Sequence, residues 1–323
     1  LAGVEKVELS GLGNTQVQTY IDENLDATQS KSLLSFFRQR TPSAIADIVR
    51  VPINLEILCF LWRDPTDRSI VFKSISQGNL PGLYKILTEQ MWERYVSRSV
   101  AFSFRIEARE ALFDILGQLA FASWTGEERQ IPISTVQVDA LMQEFSLKHA
   151  GHLHVNMQDT GFLVLKYLSG NEQYEFPHLT LQEYFAGCWL AKQLFWNSVK
   201  SQEEYKTFFK DPENKYKDRY STMFTFLAGS MVGNRTNKKR RREGICTLLT
   251  FTDENAAEDD KKSIAHLRFQ MRWINEWLCV SDKKEIEAAL PDLERSFFLL
   301  DSLQEEFATG IRCLQEYEFN DSI

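Results

Sequence analysis

The chain has 323 residues, of which 43% are hydrophobic and 25% are charged, a balance typical of a globular protein with about two compact units. Its net charge of −8 argues against general nucleic-acid binding, because a surface that binds phosphates needs an excess of Lys and Arg. No run of about 18 apolar residues is present, so the sequence predicts no membrane span.

Five cysteines are scattered along the chain without a C-x-x-C pair, at positions 59, 188, 246, 279 and 313. An odd number at wide spacing, within apolar helical patterns, indicates buried free thiols in a reducing compartment. A cytoplasmic protein is therefore expected. The chain begins with Leu1 rather than Met, which favours a piece of a longer protein.

The first half of the chain predicts a short strand followed by helices. Residues 4–10 alternate apolar and charged side chains, as in an edge strand. Helices are predicted after a cap at Asn14 or Thr15, over residues 29–40, and after Pro42. Pro52 interrupts the pattern, since proline lacks the N–H and disfavours a helical residue before it. Apolar spacing then predicts helices over residues 53–62, 83–98 and 106–124.

The middle of the chain predicts a β-hairpin. A short extended piece over residues 130–133 precedes a helix near residues 136–145. Residues 161–168 and 174–176 then form two strands around the turn signal Ser169-Gly-Asn171. Three helices followed by a hairpin is the order of a winged helix. Beyond residue 196 only helices are predicted, over residues 199–209, 220–232, 264–280, 283–290 and 293–314.

His178 lies just after this hairpin, within the eleven residues 176–186, FPHLTLQEYFA. Thr180 and Glu183 have the spacing of a capping box, so they predict a helix start. A histidine at the N-terminus of that helix is placed to bind an anion such as a phosphate. The alternative is that His178 is a structural residue that bonds a backbone carbonyl.

These eleven residues closely resemble the signature F-x-H-x-[ST]-x-Q-E-[YF]-[FL]-A, which lies near the end of the winged-helix subdomain in NACHT-type proteins. These proteins belong to the STAND class of signalling NTPases and include the NOD-like receptors of innate immunity. The resemblance implies that His178 contacts the β-phosphate of bound ADP in the closed state. Residues 50–55, RVPINL, are similar to the segment in which a proline packs against adenine, which implies that role for Pro52. Arg50 stands where the family usually has glycine, and an ordinary helix start is the alternative for Pro52.

The resemblance implies a mainly α fold built from four pieces. Residues 1–13 would be the last strand of an upstream nucleotide-binding domain, and residues 14–103 a helical subdomain. Residues 104–196 would form a winged-helix subdomain of three helices plus a β-hairpin. Residues 197–323 would form a second, C-terminal helical subdomain.

The implied function is the regulatory part of a nucleotide-dependent signalling switch that closes over ADP and opens on exchange for ATP, allowing oligomerisation. No G-x-x-x-x-G-K-[ST] motif is present, so this chain is not expected to hydrolyse a nucleotide alone, and no catalytic residue is assigned. The parent protein is expected to be a P-loop NTPase whose upstream domain supplies Mg²⁺. The implied partners are that domain, further copies of the protein and a downstream repeat or sensor domain.

Two other functions remain open at this point. One is a helical scaffold for protein interactions that kept the fold and lost the switch. The other is a winged-helix nucleic-acid binder, for which the basic run over residues 238–242 is the only support. An acidic group follows that run, and the hairpin region lacks Lys and Arg apart from Lys148 and Lys166, so this function is disfavoured.

The histidines at positions 149, 152 and 154 have a spacing that could bind zinc. No Cys, Asp or Glu lies within the cluster to complete the site, and Gly151 breaks any shared helix face. A polar loop is the favoured interpretation, and no metal site is assigned.

Overall fold

The computed structural model describes the residues 11–39, 49–63, 80–98, 105–124, 133–148, 157–168, 171–195, 211 and 216–233. This part of the chain is mainly helical and contains one small antiparallel sheet, so the predicted mainly α class is confirmed. The chain divides into two compact units, Leu1–Gln90 and Met91–Ile323.

The first unit contains helices α1 to α3 and the beginning of α4, namely α1 Asn14–Asn24, α2 Ala27–Gln39, α3 Pro52–Trp62 and α4 Leu80–Arg98. Helix α1 contacts both α2 and α3. Val17 and Ile21 are buried on its apolar face, as the helical spacing predicts, and Leu25, which follows its last residue, is also buried. A buried hydrogen bond from the Tyr84 hydroxyl to Asn54 Oδ1, at 3.1 Å, ties α4 to α3.

Helix α2 begins with a cap that the sequence prediction missed. Asp26 Oδ1 accepts the N–H groups of Thr28 at 2.9 Å and Gln29 at 2.8 Å. Gln29 Oε1 accepts the N–H of Asp26 in return, at 3.4 Å. This Asp-x-x-Gln capping box satisfies donors of the first turn, so α2 begins at Ala27 rather than at residue 29.

The second unit contains the remaining elements in the order α5 Arg105–Trp124, β1 Ile133–Ser134, α6 Thr135–Lys148, the single turn α7 Met157–Thr160, β2 Val164–Leu168, β3 Asn171–Glu175, α8 Leu179–Phe195, a 3₁₀ turn Asp218–Tyr220 and α9 Ser221–Gly233. The sheet has the order β1-β3-β2, and both pairs are antiparallel. In this register Tyr174 lies opposite Leu165 on one side and Ile133 on the other. The predicted hairpin is confirmed, with a return strand that begins three residues earlier than expected.

Within the described part of this unit, helix α8 packs along both α5 and α9. Two glycines allow α8 to lie close to these two neighbouring helices. A Cβ atom on Gly117 of α5 would lie 2.4 Å from Trp189 Cβ, and one on Gly187 of α8 would lie 2.5 Å from the carbonyl oxygen of Met223 in α9. Both distances are shorter than van der Waals contact, so α8 approaches each neighbour more closely than an alanine would allow.

An aromatic cluster joins the start of the hairpin to this helical core. Phe185 of α8 contacts Phe113 of α5 and Phe162, with ring centroids 5.4 Å and 5.5 Å apart and edge-to-face geometry. Phe176 and Tyr184 also contact the Phe185 ring. Phe185 is therefore the residue on which the helices and the hairpin segment converge.

Candidate functional site

His178 is the N-cap residue of α8. Its carbonyl oxygen accepts the N–H groups of Leu181 at 3.1 Å and Gln182 at 3.3 Å. Its Nδ1 atom accepts the N–H of Thr180 at 3.1 Å. One residue thus satisfies three donors of the first helical turn, with the ring nitrogen doing what a Ser or Asp oxygen usually does.

This geometry shows that the predicted capping box of Thr180 and Glu183 is wrong. Helix α8 begins at Leu179, so Thr180 is its second residue, and Glu183 lies deeper in the helix with a buried side chain. A capping box needs the Ser or Thr outside the helix at the N-cap position. The imidazole of His178 holds that position instead, two residues earlier.

The cap also decides where the His178 ring carries its proton. A protonated imidazole has no acceptor nitrogen, so a ring whose Nδ1 accepts an N–H is neutral. In a neutral ring with Nδ1 as the acceptor, the hydrogen is on Nε2, which makes Nε2 a donor. The side chain is neither fully buried nor fully exposed. This tautomer fits an anionic ligand, because the atom opposite the capping nitrogen is a hydrogen-bond donor.

The first turn of α8 is attached to α5 by a buried polar network. The Nε2 atom of Gln182 donates to the Ser123 hydroxyl at 2.7 Å and makes a longer contact, 3.5 Å, to the carbonyl oxygen of Ala120. The Ser123 hydroxyl donates to the same carbonyl oxygen at 3.0 Å. Gln182 is only 2% exposed and Ser123 only 7%. Sequence reasoning missed this pair, since nothing in the sequence connects residues 59 positions apart.

Pro52 is the first residue of α3 and is exposed. Val51 before it has an extended conformation, φ −84° and ψ 115°, so the predicted break in the helical pattern is confirmed. The carbonyl oxygen of Val51 accepts the N–H groups of Asn54 and Leu55, at 3.0 Å and 3.1 Å. A proline at the first helical position loses no helical hydrogen bond. This geometry fits the alternative interpretation, in which Pro52 is an ordinary helix start. Its exposed ring also offers a flat apolar surface.

Arg50 lies against the segment that leads into α1. Its carbonyl oxygen accepts the N–H of Leu12 at 2.7 Å. A Cβ atom on Gly11 would lie 2.9 Å from both the Cβ atom and the carbonyl oxygen of Arg50. A side chain at position 11 would therefore collide with Arg50, and the glycine leaves room for the arginine.

Pro52 belongs to the first compact unit and His178 to the second. Each residue is placed within its own unit by local contacts, α3 for the proline and α8 for the histidine. Their roles toward a nucleotide remain predictions.

The hairpin carries little positive charge. Within the described strands β2 and β3, Lys166 is the one basic side chain, and it forms an ion pair with Glu175. The exposed Tyr167 donates its hydroxyl to Glu172 at 2.6 Å, a hydrogen bond that raises the pKa of the tyrosine. A hairpin whose lysine is paired and whose other charges are acidic has no basic surface for a phosphate backbone.

The cysteines of the described segments are the free thiols Cys59, which is buried, and Cys188, which is half-buried. Burial raises the pKa of Cys59 to about 11; Arg63 lowers it and Glu56 raises it by smaller amounts. Because the thiolate is the reactive form, Cys59 is a poor nucleophile at neutral pH.

We expect iodoacetamide at pH 8 to leave Cys59 unmodified in the folded chain. A thiol with a pKa of about 11 is ionised in roughly one molecule in a thousand at that pH. Peptide mass spectrometry should find the Cys59 peptide alkylated only after denaturation, with Cys188 as the faster internal comparison. Equal labelling of the two cysteines in the native chain would contradict the burial of Cys59.

Several sequence predictions lie outside the described residues. They include the strand over residues 4–10, the first part of the helix after Pro42, the cluster of His149, His152 and His154, and the basic run over residues 238–242. The helices predicted over residues 199–209, 264–280, 283–290 and 293–314 also lie there. Across the segments that the structure does describe, no three potential metal ligands gather at one place. Nor does any helix of those segments have the length and apolarity to cross a membrane.

No protein-family model matches this chain, and no curated protein sequence matches it significantly.

Proposed function

We propose that the chain is the regulatory part of a nucleotide-dependent signalling switch of the NACHT type. The observation that carries the proposal is the geometry of His178 at the start of α8, in which Nδ1 accepts the N–H of Thr180 and the hydrogen of the neutral ring is therefore on Nε2. The surrounding sequence over residues 176–186 supplies the resemblance to that family. A neutral histidine that donates from a helix N-terminus is suited to a phosphate oxygen.

We further propose that residues 104–196 form a winged-helix subdomain. The order α5, β1, α6, α7, β2, β3 supports this, together with the pairing of β1 against the second strand of the hairpin. The paired lysine and the two acidic side chains of the hairpin disfavour nucleic acid as its ligand. In this proposal the subdomain serves to present His178.

The ligand in this proposal is ADP. ADP supplies a diphosphate anion and a planar purine. Within the second unit, the Nε2–H of His178 would donate to a phosphate oxygen. The role of Pro52, in the first unit, toward adenine rests on the resemblance alone. The remaining phosphate contacts and Mg²⁺ would come from a domain with a P-loop, a motif that this sequence does not contain.

A switch of this kind requires that the closed state bind ADP more tightly than the open state does. A nucleotide with equal affinity for both states shifts no population, however tightly it binds. In the proposed mechanism His178 supplies part of that difference, because it contacts the diphosphate only while the chain is closed. Exchange of ADP for ATP would then release the subdomain and allow copies of the protein to assemble.

The test is the ADP content of the full-length protein with His178→Ala or His178→Asn. Alanine removes both the cap and the donor, whereas asparagine is among the best N-cap residues and removes only the imidazole. We expect both variants to lose ADP about tenfold faster than the wild type. This factor corresponds to the free energy of one charge-assisted hydrogen bond, which both variants lack. Nucleotide extracted from the purified protein and dissociation of a fluorescent ADP analogue measure this.

Thermal unfolding of the same variants separates the two roles of His178. Alanine should lower the free energy of unfolding by about 1 kcal/mol, while asparagine should leave it nearly unchanged. Lys192→Ala is the control on the same helix, since it removes only the partly exposed ion pair with Asp114. If His178→Asn retains ADP like the wild type, His178 is only a cap, and a helical scaffold becomes the better interpretation.

A further inference from the structure

The first turn of α8 is held to α5 by hydrogen bonds rather than by apolar contact alone. Gln182 lies one turn after His178, and its backbone N–H donates to the carbonyl oxygen of His178. Its side-chain amide reaches the other way, to the Ser123 hydroxyl and the Ala120 carbonyl in the last two turns of α5. One residue therefore connects the histidine to the end of a different helix.

The direction of these bonds fixes their geometry. Because the Ser123 hydroxyl donates its hydrogen to Ala120, only its lone pairs face the Gln182 amide. A buried amide that loses its hydrogen-bond partner is strongly disfavoured, so one position of Gln182 relative to Ser123 and Ala120 is favoured over others. Apolar side chains at the same place have no preferred bond direction, so they would fix the first turn of α8 on α5 less closely than this network does.

We infer that Gln182 and Ser123 are positioning residues for His178. They fix the first turn of α8 on α5, and with it the place of the imidazole that caps that turn and the distance from its Nδ1 atom to the Thr180 N–H. The positioning itself is a property of this chain, while its consequence for ADP rests on the proposed function.

The first measurement follows the imidazole of His178 by nitrogen NMR in the full chain, with His178→Asn to identify its signals. In the wild type we expect one acceptor-type and one donor-type ring nitrogen, well separated in chemical shift. In Ser123→Ala and Gln182→Met the cap is formed part of the time, so the two signals should move toward each other. Ser123→Thr keeps the hydroxyl and should restore the wild-type separation.

The control is Gly117→Ala, which disturbs the same pair of helices near Trp189, about two turns further along α8. It should destabilise the chain without changing the His178 signals. If Ser123→Ala and Gln182→Met leave those signals unchanged, or if Gly117→Ala changes them equally, the positioning role is wrong and the network only adds stability.

The second measurement is the rate of ADP dissociation from the full-length protein. Ser123→Ala and Gln182→Met should release ADP at least about fivefold faster than the wild type, and Gly117→Ala should not, at a temperature where all variants are folded. If His178→Asn changes the ADP rate and these two variants do not, the inference fails while the proposed function stands. If the NMR signals move but even His178→Asn leaves ADP unaffected, the proposed function fails and the positioning stands.

Discussion

Replacing Phe185 with Ala is expected to lower the free energy of unfolding of the second unit by about 3–5 kcal/mol. The side chain is 1% exposed, and its ring contacts aromatic rings at positions 113, 162, 176 and 184. Alanine removes the buried ring and also leaves a cavity among neighbours that cannot all move inward. Urea unfolding followed by circular dichroism measures the change.

Two comparisons separate this effect from the mere loss of an aromatic residue. Phe185→Leu retains most of the volume and should destabilise the chain by no more than about half as much. Tyr167→Ala removes a ring that is 73% exposed, so it should change the free energy of unfolding by at most about 0.5 kcal/mol. A loss below about 1 kcal/mol for Phe185→Ala would mean that Phe185 is not at the centre of the core.

Gly187→Ala is expected to be the next most damaging substitution, although alanine normally favours a helix by about 1 kcal/mol over glycine. The added Cβ would lie 2.5 Å from the carbonyl oxygen of Met223 and 2.9 Å from the backbone nitrogen of Leu227. Backbone atoms cannot rotate away, so α9 must move from α8 and lose packing along its length. We expect a net loss of about 2 kcal/mol in the free energy of unfolding.

The appropriate control for Gly187→Ala is a substitution at an exposed position of the same helical layer. Gln118→Ala on α5 meets that need, because the side chain of Gln118 faces solvent. The free energy of unfolding of this variant should lie within about 0.5 kcal/mol of the wild-type value. A Gly187→Ala chain that is more stable than the wild type would show that helix propensity outweighs the contact, and that α9 can be displaced at little cost.

The sequence predicted most of the described elements because their signals are local. Apolar spacing located α1, α3, α5 and α9, and Pro52 marked the break before α3. The turn signal at Ser169-Gly-Asn171 predicted the hairpin. Helix starts were predicted less well, since several residues in a row can each act as the cap. Position 26 caps α2 with an aspartate, and position 178 caps α8 with an imidazole that propensity alone does not favour.

The candidate site was predicted only at the level of residue identity. The resemblance singled out His178 and Pro52, but no pattern indicates which ring nitrogen of His178 accepts a hydrogen bond. That depends on the distance from Nδ1 to the Thr180 amide, which exists only in the folded chain. The pairing of Gln182 with Ser123 and the glycine contacts depend likewise on how helices distant in sequence are packed, so they could not be predicted from spacing.

The glycine contacts have a mechanical consequence. Helix α8 has 17 residues and is about 25 Å long, and it touches α5 near Gly117 and α9 near Gly187 with almost no free space. Helices so closely spaced must separate before α8 can move past a neighbour at these two points, so the middle of α8 is held by shape rather than by hydrogen bonds. The first turn, which carries His178, is held instead by the directional contacts of Gln182, so the two kinds of contact can be weakened by separate substitutions.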